Sequence, residues 1–257
     1  MACARLRTSR GLYIRQASND IHQGADMKIG IIGAGQIGGT LARRFTALGH
    51  QVFVANSRGP ETLAGLARET GATPVSATEA ARSGDVVIVT ILQKKVPKLP
   101  ADLFAGVPDS VVVVDTGNYY PQQRDGRIDG IEAGATESRW VAQQLGRTVV
   151  KAFNNIYAQH LLDLGRPAGA PGRIALPVAG DVEAAKAVVL RLLDELGFDG
   201  VDAGGLDESW RQQPGSPVYA TDFDAAGVKR ALSQATKERK PEWRATANSP
   251  GDFSKPA

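Results

Sequence analysis

The chain has a single cysteine, Cys3, among 257 residues. That scarcity excludes an intrachain disulfide and a cysteine-ligated metal cluster, and it suits a reducing, cytoplasmic compartment. Long apolar runs are also missing. The longest, 86–92 and 111–114, fall far short of the roughly 20 residues that cross a bilayer, so no membrane partner is expected. Histidine is sparse, with His22 near the N-terminus, His50 after the first expected helix and His160 beyond Asn155. No serine, cysteine or metal constellation can be assembled around them. Aromatics make up 6% of the chain and do not interleave with a basic stripe. A net charge of +3 and a pI near 9.0 therefore do not point to nucleic acid. Part of the basic excess lies in Arg5, Arg7, Arg10 and Arg15.

What remains is ordinary soluble composition, 42% hydrophobic and 22% charged. The most informative stretch is 28–58, KIGIIGAGQIGGTLARRFTALGHQVFVANSR. Ile29, Ile31 and Ile32 form a strand that ends at Gly33-Ala34-Gly35-Gln36-Ile37-Gly38. Gly33 permits a tight turn, Gly35 lets backbone approach a pyrophosphate, and Gly38 lets the following helix pack close to the strand. Ile37, Leu41, Phe45 and Leu48 recur at helical spacing, and a second strand resumes at 51–55. That order is a βαβ unit, and it predicts a dinucleotide held at the helix N-terminus.

The end of the second strand selects the dinucleotide. An NAD enzyme usually carries Asp or Glu there for the ribose hydroxyls. This chain has Asn56-Ser57-Arg58, and a guanidinium beside a hydroxyl can bind a 2′-phosphate that a carboxylate would repel. The expected cofactor is NADP.

Further on, 61–70 reads as a helix, 73–75 as a short strand, and 77–82 as a short helix capped by Ser76. The continuous apolar run 86–91 predicts a strand buried on both faces. Its end places Thr90, Ile91 and Gln93 at the carboxyl edge of the sheet, as neighbours of ribose and nicotinamide, and Lys94 and Lys95 either near phosphate or in solvent. Another buried strand covers 111–115 and closes in 115–121, DTGNYYP, which either orients a ligand or satisfies its own turn. The stretch 122–134 reads as a surface loop, 138–145 as a helix and 148–153 as a strand. A hinge-like loop is expected at 165–172, a strand at 174–179, a helix over 182–196 capped by Asp181, a strand at 198–201, and a closing helix over 225–237. The fold class is α/β, a doubly wound Rossmann domain over 27–155 with a smaller C-terminal α/β domain over 156–240 for acceptor or substrate. Residues 1–26 read as a disordered extension, or as the product of a start upstream of Met27, and 241–257 as a disordered tail.

The segments GAGQIGGTLA, ANSRGPETL, VVIVTI, DTGNYYP, VKAFNNI, ELGFDGVDAG and LDESWRQQPG together resemble the NADP oxidoreductase, coenzyme F420-dependent family, whose members are deazaflavin:NADPH reductase-like. The resemblance covers most of 27–220. It implies hydride exchange between NADPH and an oxidised deazaflavin or flavin-like small-molecule acceptor. Its relatives include the NADPH-binding domain of membrane ferric reductases. At matching positions it implies Gly33 to Gly38 for the pyrophosphate, Asn56 to Arg58 for the 2′-phosphate, and Asn154 and Asn155 near nicotinamide and acceptor. Trp210 is a further candidate for the acceptor pocket. No catalytic residue is assigned, because hydride transfer between two ring systems needs little acid or base help. An NADP-binding sensor or scaffold is the alternative. Reduction of a carbon–nitrogen or carbonyl bond, as in imine-reductase-like relatives, would need a proton donor, for which Tyr157 is the nearby candidate. Rossmann enzymes of this size often pair as homodimers.

Overall fold

The computed structural model describes residues 26–251. The extension expected at 1–26 lies outside the described residues apart from Asp26, as does the tail from 252 on. The apolar runs fold as strands β1 (Lys28–Ile32), β2 (Gln51–Ala55), β3 (Thr73–Pro74), β4 (Val86–Val89), β5 (Val112–Asp115) and β6 (Val150–Lys151). They form one parallel sheet of order β3-β2-β1-β4-β5-β6. Every residue of β4 and β5 is buried, which is why β4 and the first three residues of β5 read as unbroken valine and isoleucine instead of alternating. The chain leaves β1 in one direction toward β2 and β3, then returns to its other side at β4. Ligands of open α/β sheets bind at such a reversal, on the carboxyl edge.

The helices are α1 (Gln36–Ala47), α2 (Ala64–Thr70), α3 (Ala77–Ser83), α4 (Asp129–Glu132), α5 (Glu137–Leu145), α6 (Ala158–Asp163), α7 (Glu183–Glu195) and α8 (Ala225–Gln234). Of the apolar face expected on α1, Leu41 and Phe45 are fully buried and Ile37 partly so, while Leu48, at its C-terminal end, is exposed. The cap expected at Ser76 is present as a reciprocal pair, with Ser76 Oγ accepting from Glu79 N and Glu79 accepting from Ser76 N. Asp181 does not cap α7. Val182 occupies that position without a side-chain bond, while the Asp181 carboxylate accepts from Leu206 N at 2.8 Å and pairs with Arg139 at 2.9 Å. Two donors from elsewhere in the fold outcompete the local one.

Strands β7 (Ala175–Val178) and β8 (Asp199–Asp202) pair in parallel around α7. An antiparallel bridge between Lys151 and Ala179 attaches this smaller α/β unit to the edge strand β6. Both parts bury one common core, in which Ile31, Phe45 and Val114 pack in the same cluster as Leu176, Val189, Leu193 and Phe198.

Three stretches differ from expectation. The 165–172 loop is pinned, because Arg44 reaches from α1 to donate to the carbonyls of Leu161, Leu162 (2.7 Å) and Leu196 (2.5 Å), and Arg166 N donates to Gly197 O. The 122–134 stretch holds a helical turn over Pro121–Asp125 and α4, with Gln122, Asp125 and Ile131 buried. Residues 241–246, expected to be disordered, pack on that turn. Gln122 Nε2 donates to Pro241 O at 3.0 Å and Arg244 O at 2.9 Å, and Ala245 N donates to Glu132. Polar side chains that look like loop material on paper are here satisfied by distant backbone. Among the described residues no helix is long and apolar enough to cross a membrane.

Arg44→Ala would strip three carbonyls of a charged donor. The expected loss is about 3 kcal/mol, read as a lower urea midpoint at unchanged slope.

Candidate functional site

The turn after β1 is built by what its glycines lack. Gly33 has φ +116°, and a Cβ on it would lie 2.2 Å from Thr90 O. A Cβ on Gly38 would lie 1.8 Å from Gly33 O, so that position is closed by close packing of α1 on the turn. Gly35 is the opposite case, with no atom within 4 Å of where its Cβ would be. It is also the N-cap of α1 and supplies no side-chain cap. The first-turn N–H groups of a 12-residue helix are therefore left to whatever occupies the space in front of Gly35.

That space is a groove of about 910 Å³ along the carboxyl edge of the sheet. Its walls come in turn from the end of β2 (Asn56, Ser57, Arg58), the β1–α1 turn (Gly33 to Ile37), the end of β4 (Thr90, Ile91, Leu92) and the end of β5 (Thr116, Gly117, Asn118). Three strand spacings, about 14 Å, separate the outer ends. At the β2 end, Asn56 Oδ1 accepts from Arg58 N at 2.8 Å and Asn56 Nδ2 donates to Thr62 Oγ1 at 2.9 Å. These bonds fix the loop backbone and leave the Arg58 guanidinium without a hydrogen bond or ion pair among the described residues. Lys95 and Lys98 line the groove in the same unpaired state. Lys94 turns away and donates to Arg124 O.

At the β5 end a buried network holds the wall. Asp115 accepts from Gly117 N at 2.9 Å and from Ser138 Oγ at 2.6 Å, and pairs with Lys151 Nζ at 3.3 Å. Lys151 Nζ also donates to Gly117 O. Glu137, wholly buried, accepts from Tyr119 N at 3.1 Å and from Arg239 Nη2 at 3.0 Å, and burial pushes its carboxyl pKa up. Thr116 to Asn118 are thus clamped from behind.

Of the residues expected at a dinucleotide, Gly33, Gly35, Gln36, Ile37, Asn56, Ser57, Arg58, Thr90 and Ile91 line this one groove. Gly38 lies beneath it. Gln93 is behind the wall, fully buried, donating to Glu137 O at 3.0 Å. The acceptor candidates separate. Asn154 is not a wall residue but exchanges hydrogen bonds with one, since its Nδ2 donates to Asn118 Oδ1 at 3.1 Å and its carbonyl accepts from Asn118 Nδ2 at 2.8 Å. Gln212 grips it from the other side at 3.0 Å. Asn155 is buried with neither side-chain polar atom paired, and it follows Asn154 and Phe153, whose φ of +60° stores strain. Trp210 lies elsewhere, lining a separate cavity with Arg211 stacked over its ring at 4.5 Å. Tyr157 is 58% exposed and packs edge-on to His160; it is not part of the groove wall. His160 pairs with Asp222 and His50 with Glu195, each at 2.9 Å.

Arg124, like Lys98, is a wall residue that sequence reading missed. It lies over the Tyr120 ring at 4.8 Å, its Nη2 donates to Asn118 O at 2.6 Å and to Asp125 at 2.9 Å, and its Nε faces the same carboxylate. Nη1 makes no hydrogen bond among the described residues. The only hint in the sequence was its closeness to DTGNYYP.

A Rossmann sheet with an open approach at Gly35 and a groove spanning its switch point is the arrangement that binds dinucleotides. Residues 28–119 match the family described as NADP oxidoreductase coenzyme F420-dependent. A crystal structure of a hypothetical protein from Sinorhizobium meliloti is 33% identical, with a TM-score of 0.64 over 78% of this chain and 96% of that one. A protein from Arthrobacter sp. FB24, whose proposed role is F420-dependent NADP reduction, is 26% identical with a TM-score of 0.57, over 70% of this chain and 85% of that one. Rat metalloreductase STEAP3 is 30% identical over 182 residues, 70% of this chain. The chain spans 34% of that protein's length and 57% of another curated relative's.

Gly35→Val puts a side chain into the open side of the turn, where its Cβ would meet no atom within 4 Å. Its melting temperature is expected to stay at the wild-type value, while dinucleotide affinity, measured by calorimetric titration, falls at least tenfold, about 1.4 kcal/mol or more.

Proposed function

We propose that the chain is an NADPH-dependent oxidoreductase that exchanges hydride between NADP(H) and a small planar acceptor, a deazaflavin such as coenzyme F420 or a flavin. The observation that carries the choice of NADP is the free guanidinium of Arg58 beside Ser57 at the end of β2. A 2′-phosphate there would meet a cation with no competing partner and no carboxylate to repel it. The fit of a dinucleotide rests on the cradle that a Cβ at Gly35 would fill and on the uncapped first turn of α1.

In this reading the α1 amides bind pyrophosphate, with Lys95 and Lys98 adding positive charge along the groove. Thr90 and Ile91 form the wall against ribose and nicotinamide. Asn118 and Arg124 close the far end, where the acceptor enters, and Asn154 positions Asn118 from behind. When bound, NADPH supplies the hydride and takes up the charge change in its own ring. The protein's part is to hold two rings face to face and exclude water. The network behind Thr116 to Asn118 suits that task, because it fixes the wall from buried groups that need no rearrangement. The name of the rat relative makes a ferric chelate the acceptor to test against flavins.

Two measurements follow. Arg58→Glu is expected to raise KM for NADPH on the order of a hundredfold, from a lost charge-assisted bond plus repulsion, and to leave KM for NADH nearly unchanged. An equal response of both cofactors would sink the NADP assignment. Purified protein mixed with NADPH is expected to reduce an oxidised deazaflavin, FMN or FAD, monitored as loss of nicotinamide absorbance. Tight NADPH binding with no turnover against any of these or against ferric chelates would mean a sensor and not a reductase.

A further inference from the structure

A second cavity, of about 220 Å³, lies apart from the groove, between the loop that follows β8 and the segment after α8. Buried donors without partners collect in its walls. Gln213 Nε2, Ser216 Oγ, Arg239 Nε and Arg239 Nη1 make no hydrogen bond among the described residues, and Gln213 is 6% exposed. The face of the Arg239 guanidinium packs over the Tyr119 ring at 5.0 Å and its Nη2 serves Glu137, which leaves the other in-plane N–H groups unmet. Lys237 and Lys240 line the same cavity and carry no ion pair among the described residues. Arg239 is already balanced by Glu137, so the two exposed lysines stand against one wall carboxylate, Glu238. Trp210 and Trp243 supply flat apolar surface.

Folded proteins rarely leave buried donors orphaned, and several in one wall call for an occupant rich in acceptors. An ammonium or amide-donor ligand would not answer them. Water could answer some, at roughly 30 Å³ each, but it does not balance the surplus positive charge. A carboxylate or phosphate does both. The volume of about 220 Å³ admits such a group together with a small ring.

We propose that this cavity is a binding site for a small organic anion, carboxylate- or phosphate-bearing, held by Gln213, Arg239 and Lys240. The site does not depend on the identity of the hydride acceptor. It shares a guanidinium with the groove wall, since Arg239 pairs with Glu137, which accepts from the backbone of Tyr119, the residue after Asn118.

Two of the protein's three tryptophans line the cavity, so tryptophan fluorescence of the full chain reports occupancy. The probes are benzoate, inorganic phosphate and neutral benzamide. Saturable quenching by benzoate or by phosphate is expected, with benzamide at least tenfold weaker; response to one anion alone assigns the carboxylate or the phosphate class. Lys240→Gln and Gln213→Leu are each expected to weaken the anion at least tenfold. The Lys240 side chain makes no hydrogen bond or ion pair among the described residues, so its variant keeps the test meaningful if Gln213→Leu folds poorly. The proposal is overturned if neither anion saturates, if benzamide binds as well as benzoate, or if folded Lys240→Gln binds the anion unchanged.

Discussion

Lys151 is the residue on which the architecture depends. Its ammonium is fully buried against Asp115 and Gly117 O, while its backbone N–H and C=O pair with Ala179 at 2.8 Å and 3.1 Å. One residue thereby ties the β5 wall of the groove to the edge of the smaller α/β unit. A charge in that position is tolerable only with its partner present, and removing either member of such a pair costs several kcal/mol. Asp115 in turn spends its remaining lone pairs on Gly117 N and Ser138 Oγ, so the pair also sets the backbone course of Thr116 to Asn118. Core, sheet edge and groove wall meet in one buried pair.

The two ends of the groove are made in different ways. At β2 the backbone is fixed by Asn56 and the charged group of Arg58 stays free and solvated. At β5 the wall is locked, and Arg124 is held by a ring, a carbonyl and a carboxylate, with a single nitrogen to spare. A flexible cation suits the capture of a phosphate, whose recognition is largely charge. A restrained donor suits the end where two rings must be aligned, because misplacement of about 1 Å there costs rate steeply.

The β1–α1–β2 unit was legible because its rules are local. Glycine spacing, helical periodicity and a β-branched run are each written within about 30 residues, and the groove residues 33–37, 56–58 and 90–91 follow from them. What was not legible depends on contacts far along the chain. Asp181 reads as a helix cap until Arg139 and Leu206 N claim its oxygens. The stretch 122–134 reads as a loop because Gln122 and Asp125 are polar, yet Gln122 meets carbonyls more than a hundred positions away. Trp210 reads from the sequence as a candidate for the acceptor pocket. The tight turn over Leu206–Gln212 instead sends Gln212 inward to Asn154 and leaves Trp210 on another wall. Arg124 had no local signature, since its role comes from Tyr120 beneath it and Asn118 beside it.

Helix α1 presents its uncapped start to the groove, and near its other end Arg44 clamps the closing carbonyls of α6 and α7. Burial lowers the pKa of that guanidinium, but it stays charged, as arginine does in proteins. The helix is therefore a single strut loaded at both ends. A ligand that binds only while the strut is in place adds its binding free energy to the cost of releasing α6 and α7. Occupancy of the groove is felt as resistance to local opening on the opposite side of the molecule, with no moving part between them.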